Sequence, residues 1–191
     1  MTLKGHVLPW IAYPGTMVAS FTIYALLDAQ SVPVMVSAYI AVVFCAAAVT
    51  LLEFVIPYDR TWQPDRGDVK SDLLFMVTVQ MALPPLLGLL VADSLVRYLA
   101  AREWPITLWP EQLPLAVQVA LMLLIAEFFR YWLHIAAHNI KLLWRFHAVH
   151  LSPHKLYWLN VGRFHPLEKA VQYMLDMLPF ILVGVTQPVI A

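Results

Sequence analysis

The sequence predicts an all-α fold, a polytopic bundle of membrane helices that carries a histidine cluster on one side. Hydrophobic residues make up 61% of the 191-residue chain and charged residues only 13%, and the mean hydropathy is +0.72. Soluble domains rarely reach such values. The chain also contains several uncharged runs, and about 20 apolar residues suffice for a helix to cross a bilayer. The formal net charge is zero, so the composition predicts no nucleic-acid partner.

Five apolar runs predict four or five spanning or re-entrant helices. The first two are separated by only a short turn, which predicts a helical hairpin. The third contains Pro84 and Pro85, which remove backbone donors and predict a kink. In chain order the runs cover residues 5–27, 29–52, 73–92, 113 to the first histidines, and 171–191.

Basic residues predict how this bundle is oriented. Only Arg97 and Arg102 fall in the loops of one side, whereas the other lysines and arginines fall on the opposite side. The richer side is predicted to be cytoplasmic, and the histidine cluster lies there. The sequence thus divides into membrane helices with a first cytoplasmic loop over residues 1–112, and a histidine-bearing part over residues 113–191.

Six of the seven histidines lie between His134 and His165. Imidazole is the commonest protein metal ligand and is costly to leave unpaired near a membrane, so this cluster predicts a metal site. His134 and His138 are four residues apart in a run without glycine or proline, which predicts both rings on one helix face. Taken alone, this pair would fit two interfacial histidines at a helix end equally well.

A second group of histidines makes chance clustering a poor explanation. His147 and His150 are three residues apart, His154 follows one turn later, and His165 comes after a turn-like segment. Facing helices commonly hold two metals between such pairs. Imidazole suits iron, zinc, copper and nickel alike, so the residues alone do not select the metal. The predicted metal ligands are His134, His138, His147, His150 and His165, with His154 as a sixth candidate.

Four segments carry a family resemblance. EFFRYWLHIAAH and LLWRFHAVHLSP resemble two histidine boxes, LYWLNVGRFHPLEK resembles the connecting segment, and EFVIPYDRTWQPDRGDVKSDLL resembles the first cytoplasmic loop. Together they resemble the fatty acid hydroxylase/sterol desaturase superfamily, the membrane-bound di-iron oxygenases. Residues 113–191 would then be the N-terminal part of the histidine-box domain.

This resemblance implies a di-iron centre that uses O2 to hydroxylate or desaturate a lipid alkyl chain or a sterol in lipid biosynthesis. It also implies two partners, a membrane lipid as substrate and an electron-transfer carrier protein. The protein's own task would be to hold the iron and exclude water from the reacting bond.

The chain departs from the family at three places. Ile135 replaces an arginine that follows the first histidine of the first box, but that arginine is not expected to bind metal. Leu151 stands where the second box has a histidine, and leucine cannot ligate a metal unless His154 substitutes for it. The last histidine box would lie beyond Ala191. We therefore expect an incomplete or degenerate form of the oxygenase. The alternative is a non-catalytic membrane scaffold descended from the same family, and a membrane haem protein is a third interpretation.

Overall fold

The computed structural model describes residues 3–103, 108–186 and 189, and for residues 3–9 it describes the backbone only. The described residues form helices and contain no strand, which confirms the all-α prediction. Four helical stretches are long and apolar enough to cross a membrane: Trp10–Ala29, Val34–Val55, Arg66–Ala101 and Leu115–Asn139. The helices are α1 (Leu3–Ala29), α2 (Val34–Val55), α3 (Arg66–Ala101), α4 (Leu115–Asn139), α5 (Lys141–His147) and α6 (Pro166–Val183), with 3₁₀ turns at Arg60–Trp62 and Trp158–Gly162.

The chain packs as two compact units. The first comprises Met1–Pro64 with His154–Trp158, and the second comprises Asp65–Pro153 with Leu159–Ala191. Most of the histidine-bearing segment therefore belongs to the second unit. The domain boundary predicted between residues 112 and 113 was placed by sequence motifs, whereas these two units are defined by packing. The predicted boundary therefore stays a prediction.

The first unit is a helical hairpin, as the two N-terminal runs predicted. Ser31 adopts a left-handed φ of 59° in the turn between α1 and α2. Near the end of α2, the Trp158 indole N–H donates to Thr50 Oγ1 at 2.7 Å and the Trp158 backbone N–H donates to Glu53 Oε1 at 2.8 Å. These bonds attach the 154–158 segment to α2.

Helix α3 is irregular where the proline pair predicted a kink. Pro84 and Pro85 offer no backbone N–H, so carbonyl groups of the preceding turn lose their usual donors. The helix responds with π-helical pairing, in which each N–H bonds to the carbonyl five residues back. Its successive parts are Arg66–Phe75 (α), Met76–Ala82 (π), Leu83–Leu87 (α), Gly88–Ala92 (π) and Asp93–Ala101 (α).

Helix α6 forms where the fifth apolar run was predicted, at residues 171–191, but it begins five residues earlier, at Pro166. It ends at Gly184, whose φ of 81° is the left-handed conformation that glycine adopts readily. Three charged residues, Glu168, Lys169 and Asp176, make it too polar to count as a spanning helix. Its apolar side packs with α4 in a core formed by Trp109, Ala126, Phe180 and Val189.

Candidate metal centre

Three histidines meet where the ends of α4 and α5 come together. His134 and His138 lie on the last two turns of α4, and their ring centroids are 4.7 Å apart. The His147 ring lies 4.8 Å from each of them. One ligand atom from each of the three histidines lies within 4.8 Å of the others. Two nitrogens on one metal lie at most roughly 4.2 Å apart, because each metal–nitrogen bond is about 2.1 Å. Small side-chain rotations would therefore let all three reach one ion.

The backbone between the two helices explains why His147 turns back towards α4. Ile140 leaves the helical conformation, with φ −102° and ψ 116°, so that α4 ends and α5 starts in a new direction at Lys141. His147 is the last residue of α5 and is buried. His147 follows His138 by nine residues in the sequence. The extended conformation of Ile140 reverses the chain between them, so that the two rings come into contact.

Glu168 fixes the orientation of the His147 ring. The two side chains are both buried, and His147 Nδ1 lies 2.6 Å from Glu168 Oε1. When Glu168 is ionised, its carboxylate can only accept a hydrogen bond, and His147 donates that bond from Nδ1. Nε2 then keeps its lone pair, and this buried atom has no hydrogen-bond partner among the described residues. A carboxylate behind the distal nitrogen is the usual support for a metal-binding histidine.

His150 lies in a second buried environment beside the first group. Its ring stacks on Phe164, with centroids 4.3 Å apart and planes 15° apart, and it hydrogen-bonds to the backbone of Arg163. Burial lowers the pKa of His150 below its ordinary value, which favours the neutral, ligating form. Its buried Nδ1 is also without a partner among the described residues. Unpaired imidazole nitrogens are costly to bury, and a metal ion bound at each of the two rings would satisfy them.

The segment that holds His150 is itself fixed to α3. Arg163 forms an ion pair with Asp72, which is fully buried. Gln80 Nε2 donates to the Gly162 carbonyl at 3.3 Å. A Cβ atom at Gly162 would lie 2.8 Å from the methyl carbon of Met76, so only glycine allows this close approach without a shift. Asp72 and Arg163 were not among the predicted site residues, because nothing in either local pattern indicates a contact across 91 positions.

The remaining predicted ligands lie outside the three-histidine group. His165 is the N-cap of α6, where its Nδ1 accepts a hydrogen bond from the Leu167 backbone N–H at 3.2 Å, and its ring contacts Phe146. His154 belongs to the first compact unit. Leu151 is about half exposed. The metal roles of His150, His154 and His165 stay predictions.

A cavity of about 640 Å³ opens beside the histidines. Helices α3, α4, α5 and α6 and the 161–164 segment contribute to its walls. A cavity of this volume can hold a lipid head group or part of an acyl chain. Its lining includes His134, His147, His150 and Glu168 together with the charged or polar side chains of Gln80, Glu127, Arg130, Tyr131, Lys169 and Gln172.

Arg130 joins α4 to α6 at the cavity wall. Its Nε and Nη2 donate to the two carboxylate oxygens of Asp176 at 2.9 and 2.6 Å, and its Nη1 donates to Glu127 Oε1 at 3.2 Å. Asp176 is thus paired with an arginine rather than facing lipid. Lys169 lies nearby, and burial together with the positive charge of Arg130 lowers the pKa of its ammonium group.

Comparison with known proteins identifies two similarities. Residues 119–191 match the family described as fatty acid hydroxylase. The ornithine lipid hydroxylase OlsE of Rhizobium tropici is 37% identical over 152 residues, which cover 75% of this chain and 44% of that protein. The chain therefore spans less than half the length of this relative. No solved structure matches the chain.

Proposed function

Because the chain belongs to the fatty acid hydroxylase superfamily, we propose that it provides the metal-binding part of an iron- and O2-dependent lipid hydroxylase. The observation that carries this proposal is the group of His134, His138 and His147 with the Glu168 carboxylate behind the buried ring of His147. Such an arrangement leaves imidazole lone pairs available and holds them in place.

Two sets of residues would hold the iron. His134, His138 and His147 would form the first set, and His150 the beginning of a second, with His165 as its predicted neighbour. Bound iron supplies the activation of O2 that an alkyl C–H bond requires. The chain's own contribution is to orient two of the imidazoles, His147 through Glu168 and His150 through the Arg163 backbone.

A membrane lipid is the proposed substrate. Helices α1 to α4 are apolar enough to lie in a bilayer, and the cavity opens beside the histidines. The name of the similar protein, ornithine lipid hydroxylase, states that it acts on an ornithine lipid. We therefore propose a lipid with an amino-acid head group as the first candidate substrate of this chain. The cavity wall combines charged and polar side chains with the apolar side chains of Met76, Leu133, Val161 and Phe164, which supports a substrate with both a polar head group and an acyl chain.

An electron carrier is the proposed second partner. Hydroxylation inserts one oxygen atom of O2 into a C–H bond and reduces the other to water, which consumes two electrons and two protons. Those electrons have to be delivered to the site at every turnover, which requires a donor. The excess of basic residues on the histidine side supports a cytoplasmic location, where such a carrier would reach the site.

Metal analysis of the purified chain tests the proposal. The chain would be purified in uncharged detergent, incubated anaerobically with iron(II), desalted, and analysed for iron by mass spectrometry. We expect bound iron in the natural chain and little in His138→Ala and His147→Ala. His6→Ala is the matched control, because His6 is the one histidine outside the His134–His165 cluster and its removal should leave the metal bound.

The non-catalytic scaffold interpretation makes the opposite prediction. A scaffold would bind no more iron than His147→Ala binds, and cells that express the gene would show no lipid that has gained an oxygen atom. Iron binding with such a modified lipid, lost in His147→Ala, would support the hydroxylase.

A further inference from the structure

We propose that Lys169 binds an anionic oxygen group of the substrate's head group, a carboxylate or a phosphate, at the wall of the histidine cavity. This inference deepens the proposed function and rests on it. It names the contact that would hold the polar end of the lipid beside the histidines.

The first step is the pairing of the cations that line the cavity. Arg130 uses three of its nitrogens on Asp176 and Glu127, so its charge is already matched. Lys169 has no carboxylate within ion-pair distance among the residues that the structure describes. Asp176, the carboxylate whose charge acts on Lys169 at longer range, already accepts two hydrogen bonds from Arg130, so Lys169 keeps the capacity to bind a further anion.

The surroundings of Lys169 keep its ammonium group at the cavity instead of in bulk solvent. The side chain is only partly exposed, and Nζ lies 5.8 Å from the centre of the Phe164 ring, a cation–π contact. Gln172 follows three residues later on the same face of α6 and lines the same cavity. An ammonium group and a side-chain amide are suitable donors for a carboxylate or phosphate.

The position of Lys169 connects this contact to the proposed chemistry. Lys169 directly follows Glu168, which holds His147, and both residues line the cavity with His134 and His150. An anion bound by Lys169 would therefore place the rest of the head group next to the imidazoles. A partly buried ammonium group gains most from a counter-ion when water is scarce, so this contact favours charged lipids over neutral ones.

Lipid titration of the purified chain tests the inference. The chain, in uncharged detergent, would be titrated with an N-acylated ornithine lipid and with its methyl ester, which keeps the amine and removes the negative charge. Phosphatidylglycerol would be the third probe. We expect the natural chain to bind the free carboxylate roughly tenfold or more tightly than the ester, the size of a charge-assisted hydrogen bond.

Matched variants isolate the residue. Lys169→Met should bind the acid and the ester with equal affinity. Lys169→Arg keeps the positive charge and should keep the preference for the acid. That result would also show that the fold tolerates a substitution at this position. Lys141→Met makes the same substitution on an exposed lysine of α5, outside the cavity lining, and should keep the full preference.

Three results would overturn the inference: a natural chain without the preference, Lys169→Met that retains it, or Lys141→Met that loses it equally. Binding of phosphatidylglycerol that depends on Lys169 would extend the supported site to phosphates, and binding that does not would restrict it to carboxylates.

Cobalt(II) content, measured on the same samples, separates the two proposals. Metal binding without the lipid preference contradicts only this inference, and the preference without metal binding contradicts only the hydroxylase.

Discussion

Glu168 contacts the ring of His147 from a different helix, 21 residues further along the chain, and both side chains are buried. A buried carboxylate is costly unless it is hydrogen-bonded, and the buried imidazole needs a partner for its N–H. The contact between His147 Nδ1 and Glu168 Oε1 satisfies one polar atom of each side chain, and it leaves His147 Nε2 and Glu168 Oε2 buried without a partner among the described residues. The pair determines which nitrogen of His147 is available to a metal.

Replacing Glu168 with glutamine should weaken metal binding roughly 10- to 100-fold, the usual effect of losing the group behind a ligating histidine. The amide keeps the size of the side chain but not the negative charge that makes the imidazole more basic. Titration with cobalt(II), followed by visible absorbance, would measure the affinity. Glu111→Gln is the matched control, since Glu111 is exposed and lies outside the cavity lining. Equal affinities for the two variants would contradict the role of Glu168.

Metal should also stabilise the fold. A ligand that binds only the folded state adds about 2.7 kcal/mol to the free energy of unfolding at a concentration one hundred times its Kd. We therefore expect iron(II) or zinc(II) to raise the Tm of the natural chain in detergent, and a chelator to reverse the rise. His138→Ala should not respond, and His6→Ala, which removes the histidine outside the cluster, should respond as the natural chain does. A Tm that no metal changes would contradict a preformed site.

The buried ion pair between Asp72 and Arg163 should contribute much more to stability than an exposed one. Removing one partner of a buried pair costs about 3–5 kcal/mol because the other charge stays buried and unpaired. We expect Asp72→Asn to lower the Tm strongly and the double variant Asp72→Asn/Arg163→Gln to recover part of the loss. The matched control is Asp93→Asn, which breaks the exposed pair with Arg97 on the same helix and should cost only about 0.3–0.5 kcal/mol. Similar losses from the two aspartate variants would show that the burial of Asp72 is not what matters.

The part of the site that the sequence predicts is the part that depends on local spacing. Four residues separate His134 from His138, and helical geometry alone places them on one face. The all-α fold followed in the same way from the length of the apolar runs. His147 required one more fact, the extended residue at Ile140, which no spacing rule supplies.

The supporting residues were not predictable from spacing because they act across the tertiary structure. Glu168 is one charged residue in a mixed segment, and its importance comes from the burial that α5 and α6 produce together. From the sequence alone, Asp176 could face either lipid or protein. The structure places it in contact with Arg130 of α4. His165 shows the reverse case. Its side chain accepts a hydrogen bond from the first turn of α6, a capping role that the histidine count could not distinguish from metal binding.

Asp176→Asn provides a gain-of-binding test for the charge of the cavity. Asp176 accepts two of the three ion-pair bonds made by Arg130, so its neutralisation frees most of the guanidinium for another anion. We expect Asp176→Asn to bind an N-acylated ornithine lipid roughly two- to fivefold more tightly than the natural chain, the range typical of partly exposed ion pairs. In the Lys169→Met background the same change should restore part of the lost preference for the free carboxylate over its methyl ester. Asp176→Asn that changes the affinity for acid and ester equally would mean that Arg130 serves only to join α4 to α6, because an anion-binding guanidinium must distinguish the two lipids.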